Sequence, residues 1–110
     1  MKAQPLKLTD GQYIPCEGSE ATHLRIKMPG PSKYSCLPVI TSGDRRETPC
    51  WTWNGSVDSP TLNPSILTRF DSGDPSESYL CHSFVNNGMV QFLSDCTHEL
   101  AGQTVPLLDI

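Results

Sequence analysis

Apolar and polar residues alternate along this chain in short runs, and period-two runs of this length predict strands rather than helices. Leu24, Ile26 and Met28 alternate with His23, Arg25 and Lys27, the pattern of a strand buried on one face. Tyr34 to Ile40 is a second strand, which Pro38 demotes to an edge strand or two pieces because proline cannot donate to a ladder. Trp51 and Trp53 flank Thr52 and share a face; they read as core, with their indole N–H groups finding partners, and an exposed binding patch is the alternative. Leu62, Ile66 and Leu67 punctuate the stretch that runs on to Phe70, and Pro60 and Pro64 set a rigid extended path there, read as structural. Thr104 to Leu108 adds a short strand, and no internal repeat is visible.

The strongest local signal lies between Tyr79 and Ser94. Tyr79 to Val85 and Met89 to Ser94 are strand-favouring runs separated by Asn86-Asn87-Gly88, and Asn-Gly is the preferred pair for a turn whose central residues need positive φ. A two-residue turn pairs Val85 with Val90 and Ser83 with Phe92, and places Cys81 on the face of Cys96. A three-residue turn pairs Phe84 with Val90 and places His82 there instead.

Ten prolines and eight glycines interrupt the chain, so few windows support a helix. The one helical candidate is a short turn from Asp95 to Leu100, capped by Asp95 or Thr97 and ended by Gly102, which would put Asp95 and His98 on one face. Pro29-Gly30-Pro31-Ser32 reads as a turn, and Thr41 to Pro49 and Asp71 to Ser78 as exposed polar loops. These elements predict one domain over residues 1–110: all-β or mainly β, a small sandwich or open barrel with a C-terminal hairpin and at most one short helix.

Charge narrows the functional classes. A net charge of −4 and a pI near 5.1 argue against a grip on phosphates. Aromatics at 7% argue against a base-stacking platform. The first fifteen residues lack a signal-peptide apolar core, and no stretch approaches the roughly 18 apolar residues of a membrane span, so a cytoplasmic protein is expected. Five cysteines in a reducing compartment read as thiols or metal ligands rather than disulfides.

The hairpin brings two ligand pairs together, Cys81-His82 and Cys96-x-His98, and Cys16 and His23 stand ready to complete a tetrahedral zinc site. Cys36 and Cys50 read as buried small apolar residues. No catalytic residue is assigned. Two enzyme alternatives use the same cluster: a zinc with an open position and Asp95 or Glu99 as base, or Cys81 or Cys96 beside His98 as nucleophile and base.

Three ordered motifs carry a resemblance: Trp51-Thr52-Trp53-Asn54-Gly55, then Pro60-Thr61-Leu62-Asn63-Pro64-Ser65-Ile66-Leu67, then the run from Cys81 to Leu107. Together they resemble a family of short phage and prophage proteins, some of them labelled ammonia monooxygenase, an activity for which these residues offer no chemistry. Members often carry an N-terminal C-x-x-C followed by histidine. Here Ser19 stands where the second cysteine is expected after Cys16, which leaves His23 or Cys96 to fill the place. The resemblance implies a phage accessory protein in a bacterial host cell. The expected function is a zinc-stabilised β-domain that binds and modulates a bacterial host protein, for example a defence component, and the acidic Asp71 to Ser78 loop suits docking on a basic patch. A small zinc-dependent hydrolase and a metal-free structural or housekeeping module are the alternatives.

Overall fold

A computed structural model describes residues 1–30, 33–40 and 50–110. Among the described residues nine strands form one sheet: β1 (Ala3–Thr9), β2 (Gln12–Pro15), β3 (His23–Lys27), β4 (Tyr34–Ile40), β5 (Trp51–Trp53), β6 (Leu62–Phe70), β7 (Tyr79–Asn86), β8 (Met89–Phe92) and β9 (Thr104–Pro106). Their order is β2-β1-β3-β4-β5-β6-β7-β8-β9. The expected all-β fold is found, with a single 3-10 turn at Gly18–Glu20 as its helical content among the described residues. No helix among them is long and apolar enough to cross a membrane.

The sheet rolls over on itself. Leu108 bridges Lys27, Val57 accepts from the backbone of Lys2 and Ala3, and Ile110 donates to Met1. Inward positions of the strands fill the roll: Leu24, Ile26, Val39, Leu62, Val85, Val90 and Phe92 are all buried. Trp51 and Trp53 join them while Thr52 between them is exposed, so both indoles are core, as period two requires. Their N–H groups donate to the carbonyls of Ser65 and Ser56.

Several elements differ from expectation. Tyr34–Ile40 is one continuous strand with a neighbour on each side, not an edge strand. Pro38 is tolerated because it ends the ladder with β3; β4 then pairs with β5 through Val39 and Ile40. Cys36 is exposed on that strand rather than buried, whereas Cys50 is buried. Asp10-Gly11 closes a β1–β2 hairpin, with φ of 51° and 78°. The stretch from Asp95 to Leu100 forms no helix but successive turns. Asp71–Ser78 is a loop as expected, braced by its own side chains: Asp71 Oδ1 accepts from Gly73 N–H and Ser78 Oγ, and Asp74 Oδ1 from Ser76. The two bonds from Ser76 hold the Asp74 carboxyl pKa below its ordinary value. The Thr41 to Pro49 loop, and Pro31 and Ser32 of the predicted turn, lie outside the described residues.

β7 and β8 settle the hairpin register. Val85 faces Val90 and Ser83 faces Phe92, across a two-residue turn with φ of 56° at Asn87 and 78° at Gly88. Cys81, Ser83 and Val85 therefore point inward, and His82 and Phe84 stand on the opposite face.

Candidate active site

Three side chains from separate segments meet on that outer face. His82 Nε2 lies 3.0 Å from Ser65 Oγ, and His82 Nδ1 lies 3.0 Å from Asp95 Oδ2. An ionised carboxylate only accepts, so the network places the ring proton on Nδ1, donated to Asp95. Nε2 then keeps its lone pair and accepts from the Ser65 hydroxyl. Serine, histidine and aspartate thus stand in hydrogen-bonded sequence, an arrangement that can activate a hydroxyl otherwise unreactive at neutral pH.

The fold holds each member from behind. Ser65 lies within an irregularity in β6: four residue steps from Leu62 to Ile66 match two from Val85 to Ser83 on β7. The surplus residues leave the ladder, and Ser65 comes out diagonal to His82, whose direct partner is Leu67. The buried Trp51 indole donates to the Ser65 carbonyl at 3.2 Å. The His82 peptide is fixed on both sides: its N–H donates to Cys96 Sγ at 3.2 Å, and its carbonyl accepts from Cys96 Sγ at 3.2 Å and from Leu93 N–H at 2.9 Å. Asp95 rides on the turn after β8, which is tied to β7 by Thr97 N–H to the Leu80 carbonyl at 3.0 Å and by Leu80 N–H to Thr97 Oγ1 at 2.8 Å. The site is open to solvent: the side chains of His82 and Asp95 are 26% and 53% exposed.

A second cluster lies on the inner side of the same hairpin. Cys81, Cys96 and His98 each offer a ligand atom, and these atoms lie within 4.8 Å of one another. Both thiols are buried. The His98 ring packs edge-on against Phe92 at 4.9 Å; its Nδ1 accepts from Leu100 N–H, and its Nε2 is buried without a hydrogen-bond partner among the described residues. Burial, opposed by Glu99, holds the imidazole below its ordinary pKa, which favours the neutral form that a metal ligand needs. Two thiols and an imidazole are compatible with a metal site.

Of the six expected ligands the structure brings together these three. Cys16 sits half-buried after β2, where its N–H donates to Pro5. His23 is buried on β3, with Nδ1 2.9 Å from Thr22 Oγ1 and its ring edge-on to Tyr13. Neither joins the cluster. His82 is turned away from it by strand alternation, since Cys81 points inward, and it serves Ser65 and Asp95 instead. Asp95 likewise does not cap a helix beside His98; its carboxylate crosses to His82.

Sequence reasoning did not single out Ser65 and did not bring His82 and Asp95 together with it. Part of the signal was present: the two-residue register that turns Cys81 inward also turns His82 outward. Ser65 had none, because its meeting with His82 depends on a strand pairing across an irregularity.

A family model described as bacterial ubiquitination-like system serine protease (BubE) matches residues 15–93, well over half of the chain. The match contains Ser65 and His82, and Asp95 lies two residues beyond it. No curated protein and no solved structure matches.

Proposed function

This chain belongs to the BubE family, and from that premise we propose that it is a serine hydrolase of peptide-type acyl bonds whose substrate is a protein of a bacterial ubiquitination-like system. The observation that carries this reading is the Ser65–His82–Asp95 alignment at 3.0 Å on both sides of the imidazole. Ser65 Oγ adds to the substrate carbonyl as its proton passes to His82 Nε2. Asp95 keeps the ring oriented and stabilises the imidazolium. His82 returns the proton to the leaving group, giving an acyl-serine that water hydrolyses by the same relay. A domain acting only by binding a host protein would leave this alignment without a role. The test is hydrolysis of an activated ester together with capture by a fluorophosphonate: both are expected, and absence of both would overturn the reading.

Trp51 is a positioning residue in this scheme, since its N–H holds the Ser65 carbonyl. Trp51→Phe keeps most of the packing and removes one hydrogen bond worth about 1 kcal/mol, so kcat is expected to fall about fivefold with KM unchanged. A loss confined to the thermal midpoint, with kcat intact, would show that the indole serves packing alone.

The inner cluster supports a second, compatible reading, that of a zinc site. Its donors suit zinc, and a Cys96 thiolate would still accept from His82 N–H; ligation through His98 Nε2 would move the ring proton to Nδ1 and release Leu100 N–H. Zinc held by Cys81, Cys96 and His98 would brace the strand that carries His82. Elemental analysis of protein purified without a chelating tag is expected to find about one zinc per chain, kept in Ser65→Ala and lost in His98→Ala. Metal-free protein with titratable Cys81 and Cys96 thiols would exclude it.

A further inference from the structure

An open groove of about 450 Å³ lies at the Phe70–Tyr79 end of β6 and β7, lined by Arg69, Phe70, Asp71, Pro75, Leu80 and Thr97 among others; no member of the triad lines it. Its position follows from the register. Leu67 stands opposite His82 and Arg69 opposite Leu80, so two residue steps along β6 and β7 lead from the triad to the cavity wall. At roughly 3.4 Å per residue that is about 7 Å, the distance between successive same-side residues of an extended peptide. Thr97, two residues after Asp95, forms another wall and is bonded to Leu80. The cavity and the triad thus share both strands and the turn that carries Asp95.

The walls indicate what fits. Leu80, on the His82 side of β7, and Pro75 supply apolar surface, and the Phe70–Tyr79 pair, stacked at 5.6 Å between centroids on the other face, closes the groove at the strand ends. Arg69 and Asp71 contribute one charge of each sign, so the lining has no net charge with which to select a charged group. The Asp71–Ser78 wall is braced by its own hydrogen bonds and needs little ordering on binding.

We propose that this cavity is the subsite that receives a large apolar side chain of an extended peptide substrate, with Leu80 setting its size. The inference rests on the hydrolase reading above, because it is the position of Ser65 and His82 that makes the cavity a substrate subsite.

The test profiles cleavage of a peptide library by the full chain, after fluorophosphonate labelling has confirmed a reactive Ser65. Wild type is expected to favour Phe or Leu over Ala at one position by at least tenfold in kcat/KM. That ratio cancels any change common to both substrates. Leu80→Trp fills the cavity and should bring the ratio towards one; Leu80→Ala enlarges it and should move the preference from Leu to Phe or Trp, which keeps the test open if the larger variant fails to fold. A labelled Ser65 with no apolar preference, with a preference indifferent to both variants, or with no peptide cleaved would overturn the subsite alone. An unlabelled Ser65 would overturn the hydrolase reading and the subsite with it.

Discussion

Replacing Ser65 by alanine is expected to lower ester and peptide hydrolysis by about ten-thousandfold or more while the thermal midpoint stays near that of the wild type. The kinetic effect is large because the hydroxyl is the bond-forming group and no neighbour replaces it. The inner cluster holds two thiols, but they point to the opposite side of β7, and Cys96 Sγ is engaged with the His82 backbone. The structural effect is small because Ser65 is only partly buried, and its fold contact through the Trp51 indole uses its backbone carbonyl, which alanine keeps. Steady-state hydrolysis with a melting curve on the same samples checks both halves. A variant that melts normally and hydrolyses at the wild-type rate would remove Ser65 from the chemistry.

Loss of the base should cost nearly as much. His82→Ala is expected to fall to a rate similar to Ser65→Ala, and the double variant to fall no further, because groups that act as one unit are not additive. Asp95→Asn should cost less, about a hundredfold to ten-thousandfold. It replaces an acceptor-only carboxylate by an amide whose NH2 can face Nδ1 and select the wrong tautomer, but half of the Asp95 side chain is in water, where its charge is already screened. The electrostatic share of its effect should shrink as salt is raised. Rates of the two single variants and the double variant decide this: a double variant slower by the product of the single effects would mean that Ser65 and His82 act independently.

The legible part of this molecule was the part set by local pattern. Alternation at Leu24, Ile26 and Met28 and around Thr52 indicated the inward faces, and Asn87-Gly88 indicated the hairpin but left two registers open, of which the structure has the one that puts Cys81 beside Cys96. The β1–β2 hairpin carried the same kind of signal in Asp10-Gly11, but Gln12–Pro15 is exposed throughout, so no apolar alternation drew attention to it. Pro38 misled because a proline penalty belongs to one hydrogen bond, and here β4 changes partner where that bond would fall. The triad was hidden for a different reason. His82 and Asp95 are joined through the turn after β8, and Ser65 reaches them through a β6–β7 pairing whose surplus residues lie between Leu62 and Ile66. Such a displacement belongs to tertiary packing. The ligand-rich hairpin drew the reading towards metal because cysteine and histidine stand out in a short sequence, whereas a serine beside a proline does not.

The most direct test of the central claim is the intact mass of the protein after exposure to a fluorophosphonate, followed by peptide mapping of the adduct. One adduct per chain on Ser65, absent from Ser65→Ala and from His82→Ala, is the predicted result. No adduct on the folded wild-type protein, or an adduct on another residue that persists in Ser65→Ala, would contradict the assignment of Ser65, His82 and Asp95 as the catalytic unit.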